Sequence, residues 1–79
     1  MKVFFTIEAG LLDRGGVRQQ LENSKAKMLH WYPNSRVLLT ETKGFLSSEF
    51  YFEADLLPES AKQHMKEWLD RMKRMADNQ

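Results

Sequence analysis

Residues 35–54 read SRVLLTETKGFLSSEFYFEA. The β-branched and apolar content over 36–42 predicts a strand. Lys43 and Gly44 then mark a reversal. Beyond it, Leu46, Phe50, Phe52 and Ala54 share one parity, while Glu49, Tyr51 and Glu53 share the other, which predicts a second strand with a dry and a wetter face. Ser47 and Ser48 fit either that strand or a longer loop or bulge. A hairpin with one dry face needs further elements to cover it, and the flanking sequence supplies them.

Upstream, KVFFTIEA (residues 2–9) alternates Val3, Phe5, Ile7 and Ala9 with Phe4, Thr6 and Glu8. This is the period of a strand with one buried face, expected over 2–8. GLLDRGG (10–16) packs three glycines and an Asp into seven residues and reads as a loop. It has neither the GxGxxG spacing nor the GK[ST] ending of a phosphate loop. Val17, Leu21, Ser24, Met28 and Leu29 then fall on one side of a helix spanning about 16–31. Pro33 pushes Tyr32 out of helical geometry and Asn34 suits the turn that follows.

Downstream, DLLPESAKQ (55–63) signals a helix start, with Pro58 in the first turn and Ser60 and Gln63 at capping-box spacing. Ala61, Met65, Trp68, Met72 and Met75 recur at steps of four and three, and Leu69 widens the stripe. The order is therefore β–α–β–β–α. The expected fold is α+β, a three-stranded sheet with two helices packed on one face, forming a single domain over 1–79. Both helices belong on the side of Phe5, Ile7, Phe50 and Phe52. The other face, with Phe4, Thr6, Glu49, Tyr51 and Glu53, is left for solvent, a partner or a second copy of the chain.

Composition narrows the functional classes. At this length only about 60% of the unfolded chain's surface is buried, so there is one core and a thin margin. Without cysteine there is no disulfide and no thiolate metal site. Thr6, Glu8 and Gly10 interrupt the apolar start before it resembles a secretory leader. No run approaches the roughly 18 apolar residues of a membrane span, so a cytoplasmic setting is expected. Twelve Lys and Arg against eleven Asp and Glu give a net charge of +1, too little for a global field toward nucleic acid.

The candidate bases are His30, at a helix end where it complements the negative pole of the dipole, and His64, expected on a solvated helix side. There is no HxxxH or HExxH spacing for zinc. Glu41, Glu49 and Glu53 are expected to approach one another across the hairpin, where exposed acids keep a sheet soluble. No catalytic role, cofactor or metal is expected. The last helix sets Lys62, Lys66, Arg71, Lys73 and Arg74 against Glu59, Glu67, Asp70 and Asp77, a surplus of one positive charge. Glu67 with Arg71 and Asp70 with Arg74 have helix-supporting spacing. Arg71, Lys73 and Arg74 offer at most a weak contact for nucleic acid, since no aromatic platform accompanies them.

Several residue pairs carry a family likeness across nearly the whole chain: Thr6 and Ile7 in a strand directly after Met1, Tyr32 and Pro33 closing the first helix, Lys62 and Gln63, Glu67 and Leu69, and Ala76 and Asp77 in the last. With the element order, they make the sequence resemble the DinI-like proteins of bacteria, their phages and plasmids. The resemblance implies a non-catalytic protein that binds RecA or its filament in the SOS response to DNA damage. It assigns the partner-facing charge to Glu67, Asp70 and Asp77. Phe4 and Tyr51 on the uncovered sheet face are the further candidates for partner binding. Lys66, Arg71, Lys73 and Arg74 interrupt the acidic surface of that family, and its acidic, aromatic-containing tail is missing. The alternative is a phage- or plasmid-type interaction or inhibitor protein with another macromolecular partner, or a homodimer built on the open sheet face.

Overall fold

A computed structural model describes residues 1–77, with side chains through Met75. Strand β1 spans Val3–Gly10, helix α1 Arg14–Trp31, strand β2 Arg36–Lys43 and strand β3 Ser47–Asp55. A 3₁₀ turn at Glu59–Ala61 leads into helix α2, Lys62–Asp77. The sheet order is β1-β3-β2, and β3 is antiparallel to both neighbours. The first and second strands are therefore parallel to each other but separated by the third, and α1 carries the chain across it.

The register fixes the faces. Ile7 lies opposite Phe50, Phe5 opposite Phe52, and Leu39 also opposite Phe52, so these side chains meet on the covered face. Helix α1 rests mainly on β2 and α2 on β1. Between them lies one core of Ile7, Ala9, Phe50, Phe52 and Ala54 from the sheet, Val17, Leu21 and Met28 from α1, and Leu57, Ala61, Met65 and Trp68 from the C-terminal part. Trp68 packs edge-on to Phe5 at 5.2 Å between centroids and tilted on Phe52 at 5.0 Å, while Phe5 stacks on Phe52 at 5.4 Å. Aromatic arrangements of this kind add stabilisation beyond buried area.

Several local expectations change. The first helix begins two residues early and takes in Arg14 and Gly15. Leu29 does not join its buried stripe and stands exposed. Leu46 precedes β3 and is exposed, whereas Ser47 and Ser48 open the strand, with Ser48 fully buried. The hairpin closes through Gly44, whose N–H donates to the Ser47 carbonyl at 2.7 Å. A Cβ on Gly44 would sit 2.9 Å from that same oxygen, so only glycine fits. The Ser60–Gln63 capping box does not form; Gln63 instead donates to Glu67 one turn along, at 3.4 Å. Nor do Glu67 with Arg71 or Asp70 with Arg74 close into salt bridges among the described residues.

Past β3, Leu56 adopts a left-handed backbone with φ of 61°, and the Asp55 carboxylate accepts its N–H at 2.8 Å. Bulky residues rarely take this conformation. Its consequence is that Leu57 swings back beside β1, where Met1 and Leu57 exchange two backbone hydrogen bonds of 3.0 and 3.1 Å. Leu57 is thereby buried, and the chain is aimed at α2.

Candidate interaction surfaces

Among the described residues no three His, Asp or Glu side chains gather as metal ligands, and no helix is long and apolar enough to cross a membrane. The polar clusters that do exist tie elements together. Glu41 faces inward, away from Glu49 and Glu53, so the three acids do not converge. Its carboxylate accepts Arg18 Nε at 2.6 Å, Arg18 Nη2 at 2.8 Å and Ser48 Oγ at 2.8 Å. The hydrogen bonds from Arg18 pull its pKa down to about 2 against the opposing effect of burial, with Ser48 assisting. His64 is likewise not a free solvated residue. Its ring lies 4.3 Å from that of Trp31, and its Nδ1 is 3.0 Å from the Tyr32 hydroxyl. This joins the end of α1 to the start of α2. His30 is exposed in the last turn of α1.

Four of the five residues singled out as partner contacts fall on two separate surfaces. Phe4 and Tyr51 lie on the uncovered sheet face, Phe4 exposed at 62% and Tyr51 half-buried. Leu38 stands exposed on β2, the other edge strand, opposite Glu53. Tyr51 donates to Glu53 at 2.7 Å and Lys2 pairs with the same carboxylate at 3.2 Å. These contacts hold the Glu53 carboxyl below the usual carboxylate range, Tyr51 first, and the hydrogen bond to Glu53, with burial next, raises the Tyr51 phenol. Glu67 and Asp70 are exposed on α2, with the sheet between them and Phe4 or Tyr51. Asp77 ends α2, and its side chain lies outside the described residues.

A third surface was not anticipated. The β1–α1 loop and the hairpin loop share one end of the sheet, because Gly10 pairs with Ser47. Arg14 of α1 ties them by donating to the Gly44 carbonyl at 3.1 Å. Leu11, Leu12, Phe45 and Leu46 project there at 52, 96, 91 and 69% exposure. Four large apolar side chains in water at one tip form the kind of patch that marks an interaction site. The signal was present in GLLD and GFLS, where apolar pairs sit inside glycine-marked turns with no strand or helix face to bury them.

No family model, no curated protein and no solved structure matches this chain.

Proposed function

We propose that this chain is a non-catalytic protein-binding regulator, and that its partner is RecA or the RecA filament on single-stranded DNA in the SOS response. The observation that carries the first half is the apolar tip: Leu12 and Phe45 expose nearly all of their side-chain surface, at a cost in water that a partner's apolar pocket would relieve. The second half rests on the DinI-like resemblance, which supplies the partner and the role of Glu67 and Asp70. Contact with nucleic acid is then indirect, through the filament.

The experiment is a titration of RecA–DNA filaments, followed by filament disassembly and by direct binding. Binding in the micromolar range with altered disassembly is expected; no binding and no change defeats the RecA reading. Two double variants divide the surface. L12S/F45S is expected to leave stability within about 0.5 kcal/mol, as for surface substitutions, while weakening capture of the partner. E67K/D70K is expected to weaken binding without unfolding, and unchanged affinity would remove those acids from the site.

A second reading, self-association through the open sheet face, has one observation in its favour. Phe4 and Leu38 stand exposed on that face with the half-buried Tyr51 on the strand between theirs, an apolar patch open to a second copy. The same patch on two copies can meet about a two-fold axis, as an isologous dimer requires. Light scattering decides it: a monomer at all concentrations dismisses this reading.

A further inference from the structure

We infer that the free edge of β1 is a docking site for an extended acidic peptide segment, which joins the sheet as a fourth strand alongside the lysines of α2. Strand β1 has β3 on one side only, so alternate backbone N–H and C=O groups along its other edge have no strand partner. Such an edge is a template for pairing with another chain. Helix α2 runs over β1 and, beside the start of that strand, leaves a groove of about 390 Å³ lined by Met1, Lys2 and Val3 on one side and the helix on the other.

The groove has an apolar floor and a basic rim. Val3, Met65 and Leu69 line the bottom, while Lys62, Lys66 and Lys73 stand exposed along the helix. None of these three lysines has a salt-bridge partner among the described residues, whereas Lys2 at the edge is held by Glu53. Asp70 is the one acid in the lining. The lining holds four lysines against one aspartate, and with Lys2 paired to Glu53 the remaining three still outnumber that acid by two. Over the opposite edge, by contrast, Arg18 of α1 is already bound to Glu41.

The spacing suits a strand. Lys62 and Lys66 are four helical residues apart, about 6 Å along the axis, and alternate strand residues are about 6.6 Å apart. Acids two apart on an added strand therefore face both lysines. From Lys62 to Lys73 the rim runs about 16 Å, the length of about five extended residues. A nucleic acid would find phosphate partners here but no aromatic ring for its bases, since the floor is Val, Met and Leu. The free backbone edge matches a peptide. This site is apart from the loop tip, and its test involves no RecA, so it stands or falls independently of the proposed partner.

The test is a titration of the isotopically labelled protein, full chain, followed by amide NMR shifts. The probes are a blocked Glu-Val-Glu-Val-Glu-Val peptide, its Lys-Val counterpart and oligothymidylate. The acidic peptide is expected to move the amides of β1 together with those of α2, to bind more weakly as salt rises, and to lose about tenfold in affinity or more in K62Q/K66Q/K73Q. Those substitutions are exposed and keep good helix formers, and circular dichroism confirms that the variant is folded. Absence of shifts with the acidic peptide up to about 10 mM overturns the inference. So do shifts confined to α2, which report charge without strand addition, equal binding of the Lys-Val peptide, or a preference for oligothymidylate.

Discussion

Arg18 and Glu41 meet as a two-pronged pair, Nε to Oε1 at 2.6 Å and Nη2 to Oε2 at 2.8 Å, across the seam between α1 and β2. A charged residue at an inward strand position would ordinarily disrupt the face it shares with Phe50. Here the helix supplies the guanidinium and β3 supplies Ser48, so each carboxylate oxygen has a donor. The pair acts as a clasp for α1, whose buried contacts are otherwise only Val17, Leu21 and Met28.

This clasp is pH-dependent. The folded pKa of Glu41 lies near 2 and its ordinary value near 4.5, so its contribution to stability is complete above about 4.5 and declines as pH falls toward about 2. Urea midpoints of the wild type and Glu41→Gln should therefore differ most near neutrality and converge through that acidic window. Parallel curves down to the acid limit would refute the assignment.

Trp68→Ala should cost about 3–5 kcal/mol, the range for emptying a buried aromatic site. The loss is a large share of the total for a domain of this size. A double-mutant cycle with Phe5→Leu should show coupling of about 0.5–1.5 kcal/mol from the edge-on contact. Additive effects would mean that the two rings do not support each other.

Two glycines should respond oppositely. A methyl group at Gly16 meets nothing within 4 Å, and the residue lies in the first turns of α1, so Gly16→Ala should stabilise by about 0.5–1 kcal/mol. At Gly44 the same change drives Cβ against the Ser47 carbonyl and should destabilise by about 1–3 kcal/mol. Thermal melts of both variants check this, and a same-sign result would contradict the hairpin geometry.

Removing the Tyr32 hydroxyl with Tyr32→Phe should cost about 0.5–1.5 kcal/mol through the lost bond to His64. In a His64→Ala background the same substitution should cost measurably less. Equal cost in both backgrounds would show that the hydroxyl serves some other partner.

The elements themselves were legible from residues close together in the chain. Period two in VFFTIEA and SEFYFEA, the four-and-three spacing from Ala61 to Met75 and the stop at Pro33 are local patterns, and each states which side of its own segment must be dry. The common dry face of Phe5, Ile7, Phe50 and Phe52 followed, because one small sheet has only one face that two amphipathic helices can share. The margins were less legible: Leu46 keeps the parity of β3 but lies beyond its paired residues, and Leu29 keeps the helical spacing without finding a wall to pack on.

What needed the tertiary structure was every relation between segments. The order β1-β3-β2 puts Val3–Gly10 on an edge beside the lysines of α2, brings Leu11 and Leu12 to the same tip as Phe45 and Leu46, and turns Glu41 toward Arg18 instead of toward Glu49 and Glu53. Periodicity fixes the direction of a side chain relative to its own backbone. Neighbours across the sheet depend on strand order and register, which are chosen by the packing of the whole core, and so the candidate surfaces arose only when the chain had closed on itself.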